Sequence, residues 1–206
     1  MNNKISKKYE FYLLFLLFIS ASIIGYIYEC ITTFFRTGVF FKDVGFSCLP
    51  CLPIYGFGVI MLYFLFGTPQ NMRIFNKHIL KANDNRTKII RYILYFFLTS
   101  ITATLFEILV GVIFEIGFNQ VLWDYSYLPF NFTKYACLQV SIFWGMGATL
   151  IMRLLFAPLY NMALSMPESK LYKMVNTFLF IWILDIVFNF GYYYTTGVMF
   201  SILSLL

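Results

Sequence analysis

Five long apolar runs, near residues 11–35, 46–67, 92–117, 135–159 and 172–206, constrain this chain more than any other feature. At about 1.5 Å per helical residue, each is long enough to cross a hydrocarbon core of roughly 30 Å. Composition agrees: 61% of residues are hydrophobic, 22% aromatic and only 12% charged, where a soluble domain carries roughly a quarter charged residues. The expected fold is an all-α membrane protein, a bundle of about five transmembrane helices. Residues 1–206 form one polytopic domain, with the fifth crossing ending near residue 191.

The N-terminal MNNKISKK, the following apolar stretch and the small-residue SAS at 20–22 have the outline of a signal peptide. The run continues past that point to Phe35, which is long for a signal segment and right for a span. Lysine and arginine placement orients the bundle. Of the 15 basic residues, only Arg36, Lys42 and Lys134 fall on one side; those before span one, between spans two and three, and between spans four and five share the other. The positive-inside rule then puts the N-terminus in the cytoplasm and the C-terminus outside. The net charge of +6 is accounted for by this asymmetry and calls for no nucleic-acid partner. Asn85-Arg86-Thr87 and Asn131-Phe132-Thr133 match the short glycosylation sequon, a pattern too common to carry weight.

Three segments carry local signals. In the loop near 68–91, Met72, Phe75 and Ile79 recur at helical spacing among basic residues. This predicts a helix lying on the inner leaflet, or one that docks a cytoplasmic partner through Arg73, Phe75, Lys77 and Ile79. Ser165-Met166-Pro167-Glu168 has the spacing of a capping box and predicts the start of span five. Gly191 and Gly197 bracket YYYTT, predicting a break near Gly191 and a short tail beyond it. Span two carries Pro50, Pro53, Gly56 and Gly58 in its outer half. It is expected to be broken there, because irregular backbone at membrane depth must be buried in protein or line a wet cavity. A proline kink at the membrane surface is the plainer alternative.

The carboxylates Glu29, Glu107 and Asp185 fall inside predicted spans, with Glu115 and Asp124 near the outer end of span three. An acid at a helix centre costs about 2.5–3.5 kcal/mol on insertion scales, so these side chains must face protein or water. Ser100, Thr104, Glu107, Gly111 and Glu115 recur at steps of three or four, a polar stripe on one helix face. Ser22, Gly25, Glu29 and Thr32 repeat the pattern in span one; Cys137, Ser141, Gly145 and Ala148 do so in span four; Asp185 and Asn189 do so in span five. Two readings stand: an outward-facing acidic vestibule for a cation, a proton or a cationic ligand, or an interior whose small and polar residues only pack helices together.

Catalysis finds no constellation. The one histidine, His78, lies in the basic loop away from the acids, and Cys48-Leu49-Pro50-Cys51 is a single C-x-x-C pair in an apolar span. No metal and no cofactor is expected, and no phosphate-binding loop of the G-x-x-x-x-G-K-[ST] type occurs. Any ATPase would be a separate chain.

The chain resembles the CmpB-like family of ABC-transporter type IV membrane proteins, small bacterial integral proteins. The resemblance is carried from Gly25 to Gly145 by Gly25-Tyr26-Ile27-Tyr28-Glu29, Pro53-Ile54-Tyr55-Gly56-Phe57-Gly58, Glu107, Glu115, Trp123-Asp124-Tyr125-Ser126, Pro129, Asn131, Cys137-Leu138, Ser141 and Trp144-Gly145. The family places a cysteine directly before P-I-Y-G; here Leu52 stands there and Cys51 one earlier. The resemblance implies a multi-pass protein of the bacterial cytoplasmic membrane associated with transport. Its partners are then the bilayer, a separate cytoplasmic ATPase, and further copies or other subunits, since five spans are few to enclose a pathway. Trp123 and Tyr125 suit the membrane interface. Asp124 between them is expected either to accept hydrogen bonds from loop amides or Ser126, fixing the loop as a lid, or to meet a ligand.

Overall fold

Proline placement sets the helix boundaries in this chain. The computed structural model describes residues 6–38, 48–75, 77–197 and 200. Among them the order is α1 (Lys7–Thr37), α2 (Pro53–Phe66), β1 (Arg73–Ile74), β2 (Lys77–His78), α3 (Asn85–Phe118), β3 (Asn131–Thr133), β4 (Ala136–Cys137), α4 (Leu138–Leu154), α5 (Phe156–Leu164) and α6 (Glu168–Thr196). Pro53 opens α2, where its missing N–H is harmless and its fixed φ suits the first helical position. Pro158 ends α4, because it cannot donate to the Leu154 carbonyl and its ring crowds that group. α4 and α5 nonetheless follow one another as one apolar stretch, Leu138–Leu164.

Four stretches are long and apolar enough to cross a membrane: Lys7–Phe35, Asn85–Phe118, Leu138–Leu164 and Glu168–Thr196. The protein is thus a multi-pass membrane protein. Of the five expected spans, four appear as long apolar stretches among the described residues; the second holds α2, which has only 14 residues, about 21 Å at the helical rise. α2 begins at Pro53, and residues 48–52 ahead of it are not helical. α1 runs unbroken through Ser20-Ala21-Ser22, the stretch that resembles a signal-cleavage site.

Lipid-facing and protein-facing sides are clearest on α3. Ile93, Phe97, Ile101, Leu105, Leu109 and Ile113 are all at least half exposed and spaced by four, an apolar stripe suited to lipid or to another membrane helix. The other side buries Arg91, Tyr95, Thr99, Ser100, Glu107 and Gly111. Asp84 caps α3 by accepting from the Thr87 N–H at 2.9 Å and the Thr87 hydroxyl at 2.6 Å.

The chain divides into two compact units, Met1–Phe57 with Leu159–Leu206, and Gly58–Pro158. The first is built on α1 and α6, whose Tyr9, Leu13, Leu16, Leu171 and Val175 form a core with Ala163. Tyr12 adds a ring contact to Tyr172 at 4.4 Å and a hydrogen bond to Asn176 at 2.9 Å. The second is built on α3 packed against α4, with the β3–β4 ribbon between them in sequence and the β1–β2 ribbon ahead of α3.

Three local expectations need correction. Residues 72–81 do not form a helix. Arg73 pairs with His78 and Ile74 with Lys77 in the β1–β2 hairpin, Met72 bridges to Gly67, and the Phe75 N–H bonds the Leu65 carbonyl at 2.7 Å. So short a segment gains more from pairing onto the end of α2 than from an isolated helical turn, whose nucleation is costly. α6 starts at Glu168, where the Ser165–Glu168 stretch predicts, but the capping box does not close: Ser165 turns its hydroxyl back to the Met162 carbonyl at 2.8 Å, and the helix has no side-chain cap. Gly191 does not break α6. The hydroxyls of Thr195 and Thr196 bond back to carbonyls of Gly191 and Tyr192, and the helix ends only at Gly197, where φ is +71°. The tail expected beyond it lies almost wholly outside the described residues.

Candidate functional site

Each unit holds its own set of buried polar groups, and the same device appears in both. In the first unit, a Cβ on Gly25 of α1 would come within 2.2 Å of the Tyr55 ring. Only glycine lets that ring lie on the helix backbone. One turn further on, Glu29 accepts a hydrogen bond from the Tyr55 hydroxyl. In the second unit, a Cβ on Gly111 of α3 would come within 2.4 Å of the Tyr135 ring, and one turn further on Glu115 accepts from the Tyr135 hydroxyl. Glycine seats the ring; glutamate, four residues on, takes its hydroxyl.

The first unit adds a second anchor. Asp185 of α6 accepts from the Cys48 backbone N–H at 3.0 Å, and the Cys48 thiol meets Asn189 Oδ1 at 3.6 Å. Asn189 is 2% exposed and its amide returns to the Asp185 carbonyl at 2.8 Å. The Leu52 N–H bonds the Ser22 carbonyl of α1 at 3.0 Å. The irregular segment ahead of α2 therefore has its amides satisfied by protein, the condition for such backbone at membrane depth. Cys51 is buried, and among the described residues no disulfide joins it to Cys48.

In the second unit, Lys134 joins Tyr135 on Glu115 as an ion pair, and its ammonium lies 5.1 Å from the Tyr135 ring centroid. Glu107, 7% exposed, accepts from the Tyr125 hydroxyl at 3.4 Å. Thr104 donates to Ser141 at 2.6 Å, and Ser141 to the Cys137 carbonyl at 2.9 Å, tying α3 to α4. Trp144 is half-buried on α4, edge-on to Phe143 at 5.7 Å.

The loop from Val121 to Phe130 is fastened at several points. Trp123 donates its indole N–H to the Tyr135 carbonyl at 3.2 Å, and the Tyr125 N–H bonds the Lys134 carbonyl at 2.7 Å. Asp124 accepts from the Ser126 N–H at 2.8 Å, and Asn131 of β3 donates to the Ser126 carbonyl at 3.0 Å. The Ser126 hydroxyl, then its backbone N–H, hold the Asp124 carboxyl below the usual range, so it stays charged. Asp124 thus makes the loop hydrogen bond that the first of its two expected roles calls for.

The expected vestibule residues thus fall into two sets. Glu29, Asp185 and Asn189 belong to the first unit; Glu107, Glu115, Trp123, Asp124, Tyr125, Ser126, Asn131, Ser141 and Trp144 belong to the second. Of the docking residues, Arg73 lies 4.9 Å over the Tyr63 ring and donates to the Tyr63 carbonyl at 2.9 Å. Ile79 donates to the Met72 carbonyl, while Phe75 and Lys77 are exposed. Tyr55, Lys134 and Tyr135 are the members of this arrangement that sequence reasoning misses. The available signal was G-x-x-x-E occurring in two spans, at Gly25 and Gly111.

With Glu115 one-third exposed, its contact with Tyr135 is expected to be worth about 1–2 kcal/mol, below a fully buried charged hydrogen bond. A double-mutant cycle of Glu115→Gln and Tyr135→Phe, read by thermal unfolding in detergent, measures it; additive losses would refute the contact.

The model of the family described as "Putative ABC-transporter type IV" matches residues 16–190. The chain belongs to that family. The match extends on both sides of the Gly25–Gly145 stretch that carries the resemblance in sequence, and it takes in Asp185 and Asn189. Both glycine-glutamate pairs, the anchored segment ahead of α2 and the fastened loop all lie within the family's extent. No curated protein and no solved structure matches the chain.

Proposed function

We propose that this chain is a permease-like or accessory subunit of a transport system in the bacterial cytoplasmic membrane, working with an ATPase carried on a separate polypeptide. Family membership over residues 16–190 is the observation that carries the reading. The sequence has no phosphate-binding loop of its own, so hydrolysis falls to a partner. The reading assigns no catalysis to this chain.

Orientation follows the basic residues, with the N-terminus in the cytoplasm. Residues 48–52 and α2 together make the remaining crossing. α2 supplies about 21 Å of the roughly 30 Å hydrocarbon core, and residues 48–52 ahead of it are left to supply the remainder. The β1–β2 hairpin then lies on the cytoplasmic side. Phe75, 65% exposed at its turn, and Lys77 beside it are offered to the ATPase.

A second reading is favoured by the carboxylates themselves. Glu29, Glu107, Glu115, Asp124 and Asp185 each accept from a protein group, as they would in a membrane assembly protein whose polar interior only holds helices together. Glu107→Gln separates the two. In a subunit with a functional acidic site, it abolishes transport-linked growth while protein level and unfolding temperature stay as in the wild type. In an assembly protein it lowers both, with no separate defect. Affinity purification after crosslinking in native membranes tests the partner: a stoichiometric ATPase is expected, and Phe75→Asp is expected to reduce its recovery. Recovery of the chain alone refutes the partner assignment.

A further inference from the structure

Residues 70–72 ahead of the β1–β2 hairpin, His78 of β2, the segment after it and Arg91 of α3 line a cavity of about 390 Å³ that the proposed function does not use. That volume lies in the range of sites for small ligands, about 300–1,000 Å³. At its inner side is Arg91 of α3, 6% exposed. A guanidinium is always charged, and burying it calls for an anion or a full set of acceptors. Arg91 has neither from the described residues: Nη1 donates to the Leu80 carbonyl at 3.3 Å, and the buried Nε has no hydrogen-bond partner. No described carboxylate lines the cavity. Lys81 and His78 line it instead, with Gln70, Asn71 and Asn83.

We propose that this cavity binds a phosphate-bearing anion through Arg91 and Lys81. The forked N–H groups of a buried arginine match two oxygens of a phosphate, while the ammonium of an exposed lysine closes over it as a point charge. Amide donors suit the remaining oxygens or a glycerol hydroxyl. A phosphate group here can come from an anionic phospholipid head group or from a small soluble phosphate ester. The site forms within the second unit alone and does not depend on the transport reading.

The test uses the purified full-length chain in detergent, with dioleoyl phosphatidylglycerol, dioleoyl phosphatidylcholine and glycerol phosphate as probes. Native mass spectrometry reads adducts and a thermal-shift titration reads saturation. Saturable binding of phosphatidylglycerol over phosphatidylcholine is expected if the head group is the ligand; saturable binding of glycerol phosphate, unmatched by chloride at equal ionic strength, is expected if the ligand is soluble. In either case Arg91→Gln weakens binding roughly ten- to hundredfold, Arg91→Lys weakens it less, and Lys170→Gln leaves it unchanged. Because Arg91→Gln also touches the Leu80 carbonyl, Lys81→Gln and Asn83→Leu, both at exposed positions, provide variants whose folding is not in question. Binding that is unsaturable, indifferent to charge, or unaltered in Lys81→Gln and Asn83→Leu overturns the proposal.

Discussion

Gly111→Ala and Gly25→Ala are each expected to lower the unfolding free energy by about 2–4 kcal/mol, although each adds a single methyl to a helix where alanine is otherwise preferred. At Gly111 the new carbon would sit 2.4 Å from one Tyr135 ring carbon and 2.7 Å from another; at Gly25 it would sit 2.2 Å from the Tyr55 ring. Neither ring can swing aside cheaply, because its hydroxyl is bonded to a glutamate one turn away on the same helix. Moving the ring therefore loses a hydrogen bond to a charged group as well as straining the packing. Gly117 on the same α3, and Gly147 on α4, have nothing within 4 Å of an added Cβ. Alanine there is expected to be neutral or stabilising by up to about 1 kcal/mol. Unfolding midpoints of the four variants in the same detergent decide the matter. Equal midpoints for Gly111→Ala and Gly117→Ala would refute the ring-on-glycine seat.

These seats also show what the sequence could and could not convey. The stripe Ser100, Thr104, Glu107, Gly111, Glu115 is legible, because a 3.6-residue period is local and a membrane punishes any polar side chain turned to lipid. The structure buries Ser100, Glu107 and Gly111 on one side of α3 and exposes Phe97, Ile101 and Leu105 on the other. What fills the stripe is not legible. Tyr55 is 30 residues from Gly25 and Tyr135 is 24 from Gly111, and no spacing rule links a glycine to the ring that will lie on it.

The 72–81 segment fails for a related reason. Met72, Phe75 and Ile79 fit a helical period, but ten residues are too few to fix a helix against competing contacts. Here Gly67 and Leu65, at the end of α2, take up the backbone groups of Met72 and Phe75. Span two shows both sides of the lesson. Its prolines give away an irregular stretch, since Pro53 can open a helix but not continue one. The residues that make such a break tolerable, Ser22 on α1 and Asp185 on α6, are far away in sequence. In the sequence Ser22 reads as part of a small-residue stripe and Asp185 as a vestibule acid.

That difference makes Asp185 the most informative acid to change. If it serves to hold the irregular segment, Asp185→Leu should raise the rate at which a membrane-permeant maleimide labels Cys48 by roughly ten- to hundredfold, while Asp185→Asn should change it little. The Cys48 N–H now donates to Asp185 Oδ1 at 3.0 Å, and its thiol rests on Asn189, which is itself held by the Asp185 backbone. Leucine removes the acceptor without emptying the space. The loss is that of a partly buried N–H bond to a charged group, about 1–3 kcal/mol, and it favours local opening of residues 48–52 over global unfolding. Asparagine keeps a carbonyl oxygen in nearly the same place. Cys51, 1% exposed in the same segment, reports how far the opening spreads: labelling of Cys48 alone means a frayed end, and labelling of both means release of the whole segment ahead of α2. Had Asp185 only lined a site for a cation, both substitutions would abolish its charge equally and labelling would not distinguish leucine from asparagine. The ratio of the two labelling rates therefore separates an acid that holds backbone from an acid kept for its charge.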